Sequence, residues 1–246
     1  MFDIDGTLTE TFQVDEECFV EALQAVFGFA AVNTDWSSYQ HTSDSGIIHE
    51  LFHVRRGRAP ERSELAAFQA QFLSLLSAAE FASPQAFRAV AGAEGIVQRL
   101  ANGSGHAVAL ATGGWKISAC FKLSKAGLKL ESLPAAFADD ALAREEIMQI
   151  SLKRASVRCG RDTFDTITYV GDGVWDLRAA NNLGFRFIGV GCGESARKLR
   201  SAGASFVFPE YLDTNAFASA LEELFLKPVR RCTSREKVVS SRRCKT

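Results

Sequence analysis

Thr166-Ile167-Thr168-Tyr169-Val170-Gly171-Asp172-Gly173-Val174-Trp175-Asp176 changes character twice within one short run. Thr166 to Val170 is β-branched and aromatic, the composition of a strand buried on both faces. Gly171 to Gly173 break that run, and helical character follows from Val174. A strand feeding a helix through a glycine turn is half of a βαβ unit, which points to a parallel sheet flanked by helices. Asp172 and Asp176 stand four apart, so both face one spot when the helix starts near Val174. Carboxylates at a helix N-terminus also serve as plain caps, but this Gly-Asp turn with a second Asp is more specific than a cap requires.

The alternation extends both ways. Residues 106–112 (HAVALAT) form an apolar run ending at Gly113-Gly114, and 186–190 and 205–208 form two more. Helical stretches are predicted at about 115–126, 144–158, 175–183 and 194–202, with Ala91-Gly92-Ala93-Glu94 opening another through about Leu100. Between 13 and 90 the pattern differs: Asp15–Phe27, Asp44–Val54 and Ser63–Ala79 carry helical periodicity without a convincing strand. The expected fold class is α/β. A Rossmann-like parallel sheet core is assigned to 1–12 and 91–226, with an inserted helical cap at 13–90. Residues 227–246 turn basic and lose any packing period, and are expected to be a disordered tail.

A chain of 246 residues with 47% hydrophobic side chains suits one core domain plus an insertion. The net charge of -1 gives no global electrostatic case for nucleic acid or an anionic membrane. Cysteines at 18, 120, 159, 192, 232 and 244 form no CxxC pair, and no zinc-like spacing occurs. With no signal-peptide pattern at MFDIDGT and no stretch near the roughly 18 apolar residues of a membrane helix, a soluble cytoplasmic protein is expected. It is expected to be a monomer or homodimer.

Two further turns carry chemistry. Asp3-Ile4-Asp5-Gly6-Thr7-Leu8-Thr9 sets carboxylates at i and i+2 on one side of a strand end. Close carboxylates repel, and a cation or shared proton makes them tolerable; magnesium suits such oxygen donors. A DxDG turn with solvated carboxylates is the plainer alternative. Ala111-Thr112-Gly113-Gly114 offers a hydroxyl and free backbone amides at the next strand end, an anion site in form and equally an ordinary helix start. Acid, hydroxyl and acid thus converge on the C-terminal ends of separate strands, the edge where open α/β sheets bind ligands.

These residues resemble the motifs of the haloacid dehalogenase-like hydrolase superfamily, in its phosphatase branch. Asp3 to Thr7 match DxDGT, Thr112 matches the Ser or Thr after an apolar strand, Asp172 and Asp176 match the acidic pair, and the helical insertion matches a type 1 cap. The resemblance spans about residues 1–225. It implies a Mg2+-dependent phosphomonoester hydrolase working through an aspartyl-phosphate, with Asp3 as nucleophile and Asp5 as general acid and base. Asp3, the backbone carbonyl of Asp5, and Asp172 would hold the metal, with Asp176 supporting it directly or through water. Thr112 and the amide of Gly113 would hold phosphoryl oxygens. The remaining motif is a Lys or Arg that offsets negative charge; Arg144, at a helix start, is favoured over Lys153, further along the helix and away from the active edge. The sequence departs from the family in one respect: only Met1 and Phe2 precede Asp3, where the family has a full strand, so either the true start lies upstream or the sheet tolerates a stub.

In the insertion, Trp36 to Gly46 is polar and aromatic and precedes a helix. Ser43 or Asp44 reads as a helix cap; the functional reading puts His41, Thr42 or Asp44 over the active edge, against the leaving group. His49 and His53 share a helix face without further ligands, and Arg55, Arg56 and Arg58 read as a solvated basic loop. The expected partner is a small phosphorylated metabolite, by resemblance to phosphoglycolate phosphatase. A phosphomutase of the β-phosphoglucomutase kind and a non-catalytic binding protein are the alternatives. By the same resemblance, C–Cl and C–P bond hydrolases are disfavoured by Asp5, and the C–P branch also by the lack of any Lys in 13–90.

Overall fold

The computed structural model describes residues 1–103 and 105–226; the expected tail at 227–246 lies outside them. Five short strands form the sheet: β1 (Leu110–Ala111), β2 (Ala135–Ala136), β3 (Thr168–Gly171), β4 (Arg186–Val190) and β5 (Val207–Phe208). β1 pairs with β2, β3 with β4, and β4 with β5, all parallel. The N-terminal stub joins the two halves. Phe2 bridges Leu110 on one side and Val170 on the other, both in parallel sense. Phe2 N donates to Ala109 O at 2.9 Å, Asp3 N to Val170 O at 2.9 Å, and Ala111 N to Phe2 O at 2.9 Å. Three residues thus hold the central position, and Asp3 emerges at the C-terminal edge between β1 and β3.

Alternating side chains feed two apolar layers, as the period of a strand demands. Val170 and Ile188 join Phe2, Ile96, Leu123 and Phe217 on one face. Tyr169 and Phe187 join Ile147, Met148, Leu177 and Leu199 on the other. The first face is covered by α4 (Ala93–Asn102), α5 (Lys116–Lys125) and α9 (Thr214–Leu226), the second by α6 (Arg144–Cys159), α7 (Val174–Asn182) and α8 (Gly193–Ser201).

The insertion folds as α1 (Phe12–Phe27), α2 (Asp44–Arg56) and α3 (Arg62–Ala82) around a third, aromatic core. Phe19 meets Phe68 and Phe72 edge-on at ring-centroid distances of 5.2 and 5.6 Å, and Trp115 from the sheet domain packs on Phe68 at 5.5 Å. Each such pair adds ~0.5–1.5 kcal/mol beyond its burial, so Trp115 ties the cap to the core. Ser43 is the N-cap of α2, its Oγ accepting from Gly46 N at 3.1 Å.

Three expectations need correction. The apolar run 106–112 yields only two strand residues, because only Leu110 and Ala111 find a partner in β2. β2 and α9 were not anticipated. Helix α3, moreover, is long and apolar enough by length and composition to cross a membrane. Its alanines raise the hydropathy without making a broad apolar face: Phe68, Phe72 and Leu76 are buried, while Ala66, Ala67 and Ala78 face water.

Candidate active site

Three strand ends deliver the groups that meet in one cleft. Asp3 follows the stub, Thr112 follows β1, and Asp172 follows β3, with Asp176 one turn into α7. Asp3, Asp172 and Asp176 each offer an oxygen within 4.8 Å of the others. Both Asp176 oxygens are engaged: Oδ1 accepts from Arg144 at 2.8 Å, and Oδ2 accepts from Gly173 N at 3.0 Å. Asp3 Oδ1, by contrast, is buried without a hydrogen-bond partner. A buried bare carboxylate oxygen is costly unless something positive meets it.

The electrostatics say the same. Burial, with Asp176 beside it, pushes the Asp3 carboxyl up to about 7, against the pull of Arg144 and the Thr112 hydroxyl. Asp172 is held well above the ordinary carboxylate range, first by burial and then by Asp176 and Asp3. Arg144 is the cation in this cluster. Burial works against its charge, but Asp176 and Asp3 outweigh that and keep it protonated. Its Nη1 lies 3.6 Å from Asp3 Oδ2, and its Nη2 donates to Thr42 O at 2.8 Å. Lys153, the competing candidate, is exposed on α6 and lines a separate surface groove.

The turns are shaped by close approach. Gly6 has φ +68, and a methyl group there would overlap Asp172 Oδ2. At Gly113 a methyl group would overlap the Arg144 guanidinium and crowd Thr42 O. Gly113 O accepts from Asp44 N at 2.8 Å, so the second turn is fastened to the start of α2. Thr112 is buried, its Oγ1 accepting from Gly114 N at 3.2 Å.

Asp5 sits apart from the acidic trio. Its Oδ1 accepts from Thr11 Oγ1 at 2.5 Å and its Oδ2 from Lys122 Nζ at 2.6 Å. Lys122, on α5, is fully buried and also donates to Asp15 of α1. Burial opposes its charge, yet Asp15 and Asp5 hold it protonated. The spacing argument missed Lys122. Its signal was present: it falls on the same face of α5 as buried Ser118, Ala119 and Leu123, where a lone base has to find an acid.

Of the insertion residues singled out, Asp44 and Thr42 line the cleft, and Asp44 Oδ2 accepts from Trp115 N at 3.0 Å. His41 does not line it; its side chain lies against Gly46 instead. Arg56 and Arg58 pair with Glu64 on the outer surface, at 2.8 and 2.7 Å.

A family profile for haloacid dehalogenase-like hydrolases matches residues 1–184. The chain belongs to the haloacid dehalogenase-like hydrolase family. Solved structures share the fold. A hydrolase from Pseudomonas syringae superposes with a TM-score of 0.67 at 19% identity, covering 89% of this chain and 97% of that one. A protein named as a candidate beta-phosphoglucomutase from Bacteroides vulgatus gives 0.63 at 16%, covering 92% and 89%. A predicted phosphoglycolate phosphatase from Haemophilus somnus gives 0.55 at 16%, covering 88% and 96%. At these identities the likeness is one of fold. No curated protein matches the sequence significantly. This member of the haloacid dehalogenase-like hydrolase family is therefore an α/β protein with a parallel sheet, an inserted helical cap, and a buried acidic cluster able to hold a metal.

Proposed function

We propose that the protein is a magnesium-dependent phosphomonoester hydrolase. One observation carries this: the unpartnered Asp3 Oδ1 stands buried beside Asp172, with Arg144 and Thr112 around the same point. The donor set is all oxygen, which fits a hard divalent cation. Asp3 and Asp172 would hold it, with the Asp5 carbonyl beside them and Asp176 acting through its neighbours. Bound there, Mg2+ would neutralise carboxylate and phosphate charge.

The chain's own residues supply the rest. Asp3 attacks phosphorus, forming a carboxyl–phosphate bond as the ester P–O bond breaks. Asp5 gives its proton to the departing oxygen, then takes one from the water that attacks phosphorus, releasing phosphate and restoring Asp3. Each Asp5 oxygen accepts one hydrogen bond, from Thr11 and from Lys122, which leaves each a second lone pair and holds the carboxyl in place. Thr112 and the Gly113 amide hold phosphoryl oxygens, and Arg144 balances the charge that gathers there.

The test is phosphate release from a panel of small phosphorylated metabolites, with magnesium and with chelator, beside Asp3→Asn. Release that needs magnesium and vanishes in Asp3→Asn is the expected result. Release that survives in Asp3→Asn would overturn the mechanism.

A further inference from the structure

Beyond the phosphoryl-binding end, the cleft has a second half. It is walled by Phe12, Phe19, Trp36 and Trp175 and carries three carboxylates, Asp15, Glu16 and Asp44. Phe12 and Trp175 stack at 6.2 Å, 16° from parallel, and Trp36 meets Phe19 edge-on at 5.8 Å. Asp44 and Asp5 both reach toward Gly114 from opposite elements. Glu16 Oε2 accepts from Trp36 Nε1 at 2.6 Å, which aims this carboxylate along the ring.

No uncommitted base lines this half among the described residues. Among the described residues lining the cleft, Arg144 is the sole base, and it is committed to Asp176, Asp3 and Thr42 O. Lys122 is fully buried behind the wall and spent on Asp5 and Asp15. Three acids with aromatic rings and no free base make a poor receptor for a second anion. They match an ammonium group, which gains from carboxylates directly and from ring faces by cation–π attraction.

We infer that the leaving group carries a positive charge: the substrate is the phosphomonoester of a small amino alcohol, its phosphoryl group at Asp3 and its ammonium among Asp15, Glu16, Asp44 and the aromatic wall. This deepens the phosphatase reading and rests on it. It also separates this cleft from one made for a carboxylated ester such as phosphoglycolate. The free volume of the cleft, about 80 Å³, suits a small leaving group. That volume is what roughly three waters fill in the liquid. Burial and Asp15 hold the Asp44 carboxyl well above the ordinary range. A bound cation relieves that strain.

The experiment compares three esters of matched size under magnesium: phosphoethanolamine, ethyl phosphate and phosphoglycolate. kcat/KM is measured on the wild-type chain, and binding to Asp3→Asn is measured by calorimetry. The expected order puts phosphoethanolamine about tenfold or more above ethyl phosphate, and phosphoglycolate below both. Glu16→Gln should shrink the phosphoethanolamine to ethyl phosphate ratio. Ethyl phosphate turned over as well as phosphoethanolamine overturns the inference and leaves the phosphatase reading standing. Phosphoethanolamine bound preferentially but never hydrolysed would leave an ammonium-binding cleft and overturn both the substrate assignment and the phosphatase reading. Neither turnover nor preferential binding overturns both.

Discussion

Two residues show how far the site depends on single atoms. Gly6 adopts φ +68 with Asp172 pressed against its Cα. Gly6→Ala adds the left-handed penalty of ~1–2 kcal/mol and must displace the Asp172 carboxylate. Magnesium-dependent turnover should fall at least tenfold, or ~1.4 kcal/mol, with the far-ultraviolet circular dichroism unchanged; retained turnover would show that Asp172 tolerates the shift. Lys122 is the converse case, a buried cation that two acids need. Lys122→Met leaves Asp5 and Asp15 facing each other with no counter-charge, and should cost about 3 kcal/mol in urea unfolding. A loss below 1 kcal/mol would mean that the pair is neutralised by protons instead. Asp3 and Asp172 were legible in the sequence because each stands at a strand end beside a glycine turn. Lys122 carries only one local signal, its place on the buried face of α5; its partners come from the long-range meeting of α5 with α1 and the first turn.

The helices are where sequence and structure agree best. Apolar repeats set α1, α2 and α3 to within a few residues, and Ser43 announces α2. Strands fared worse for a physical reason: each is short, and β2 is two alanines, which carry no β preference and pair because Pro134 O accepts from Leu110 N and Ala136 O from Thr112 N. The loop after β2 has its own fastener. Asp140 accepts from both Arg154 Nη atoms, at 2.8 and 2.7 Å, and from Phe137 N at 3.0 Å, fixing how α6 begins and so where Arg144 points. Arg154 first, then the Phe137 amide, hold the Asp140 carboxyl below its usual value. A lowered carboxylate stabilises the fold above its unfolded pKa of about 3.9 and loses that contribution as pH falls through the lower, folded value. The stability gap between wild type and Asp140→Asn should thus be constant at neutral pH and narrow below about pH 4. Arg154 stands 46% exposed, so the gap should stay under ~1 kcal/mol; a gap that widens in acid would reverse the assignment.

At the scale of the whole molecule, a metal held by the acidic cluster would link binding to folding. Asp3 comes from the chain's first residues, Asp172 and Asp176 from far along it, so an ion they share favours the folded state. Magnesium at a hundredfold excess over its Kd should add ~2.7 kcal/mol and raise the thermal midpoint by several degrees, and Asp172→Asn should abolish the rise. An equal rise in that variant would place the ion elsewhere. The cap, meanwhile, is stitched to the sheet domain from four directions: Trp115 Nε1 to Ser45 at 2.8 Å, Asp44 N to Gly113 O at 2.8 Å, Arg144 to Thr42 O at 2.8 Å, and Lys122 to Asp15. Two of those stitches, at Asp44 and Thr42, run along the wall of the cleft that holds Asp3. Under the proposed reaction, a tighter seam would shield Asp3 from stray water and, in the same measure, delay the departure of what the reaction makes.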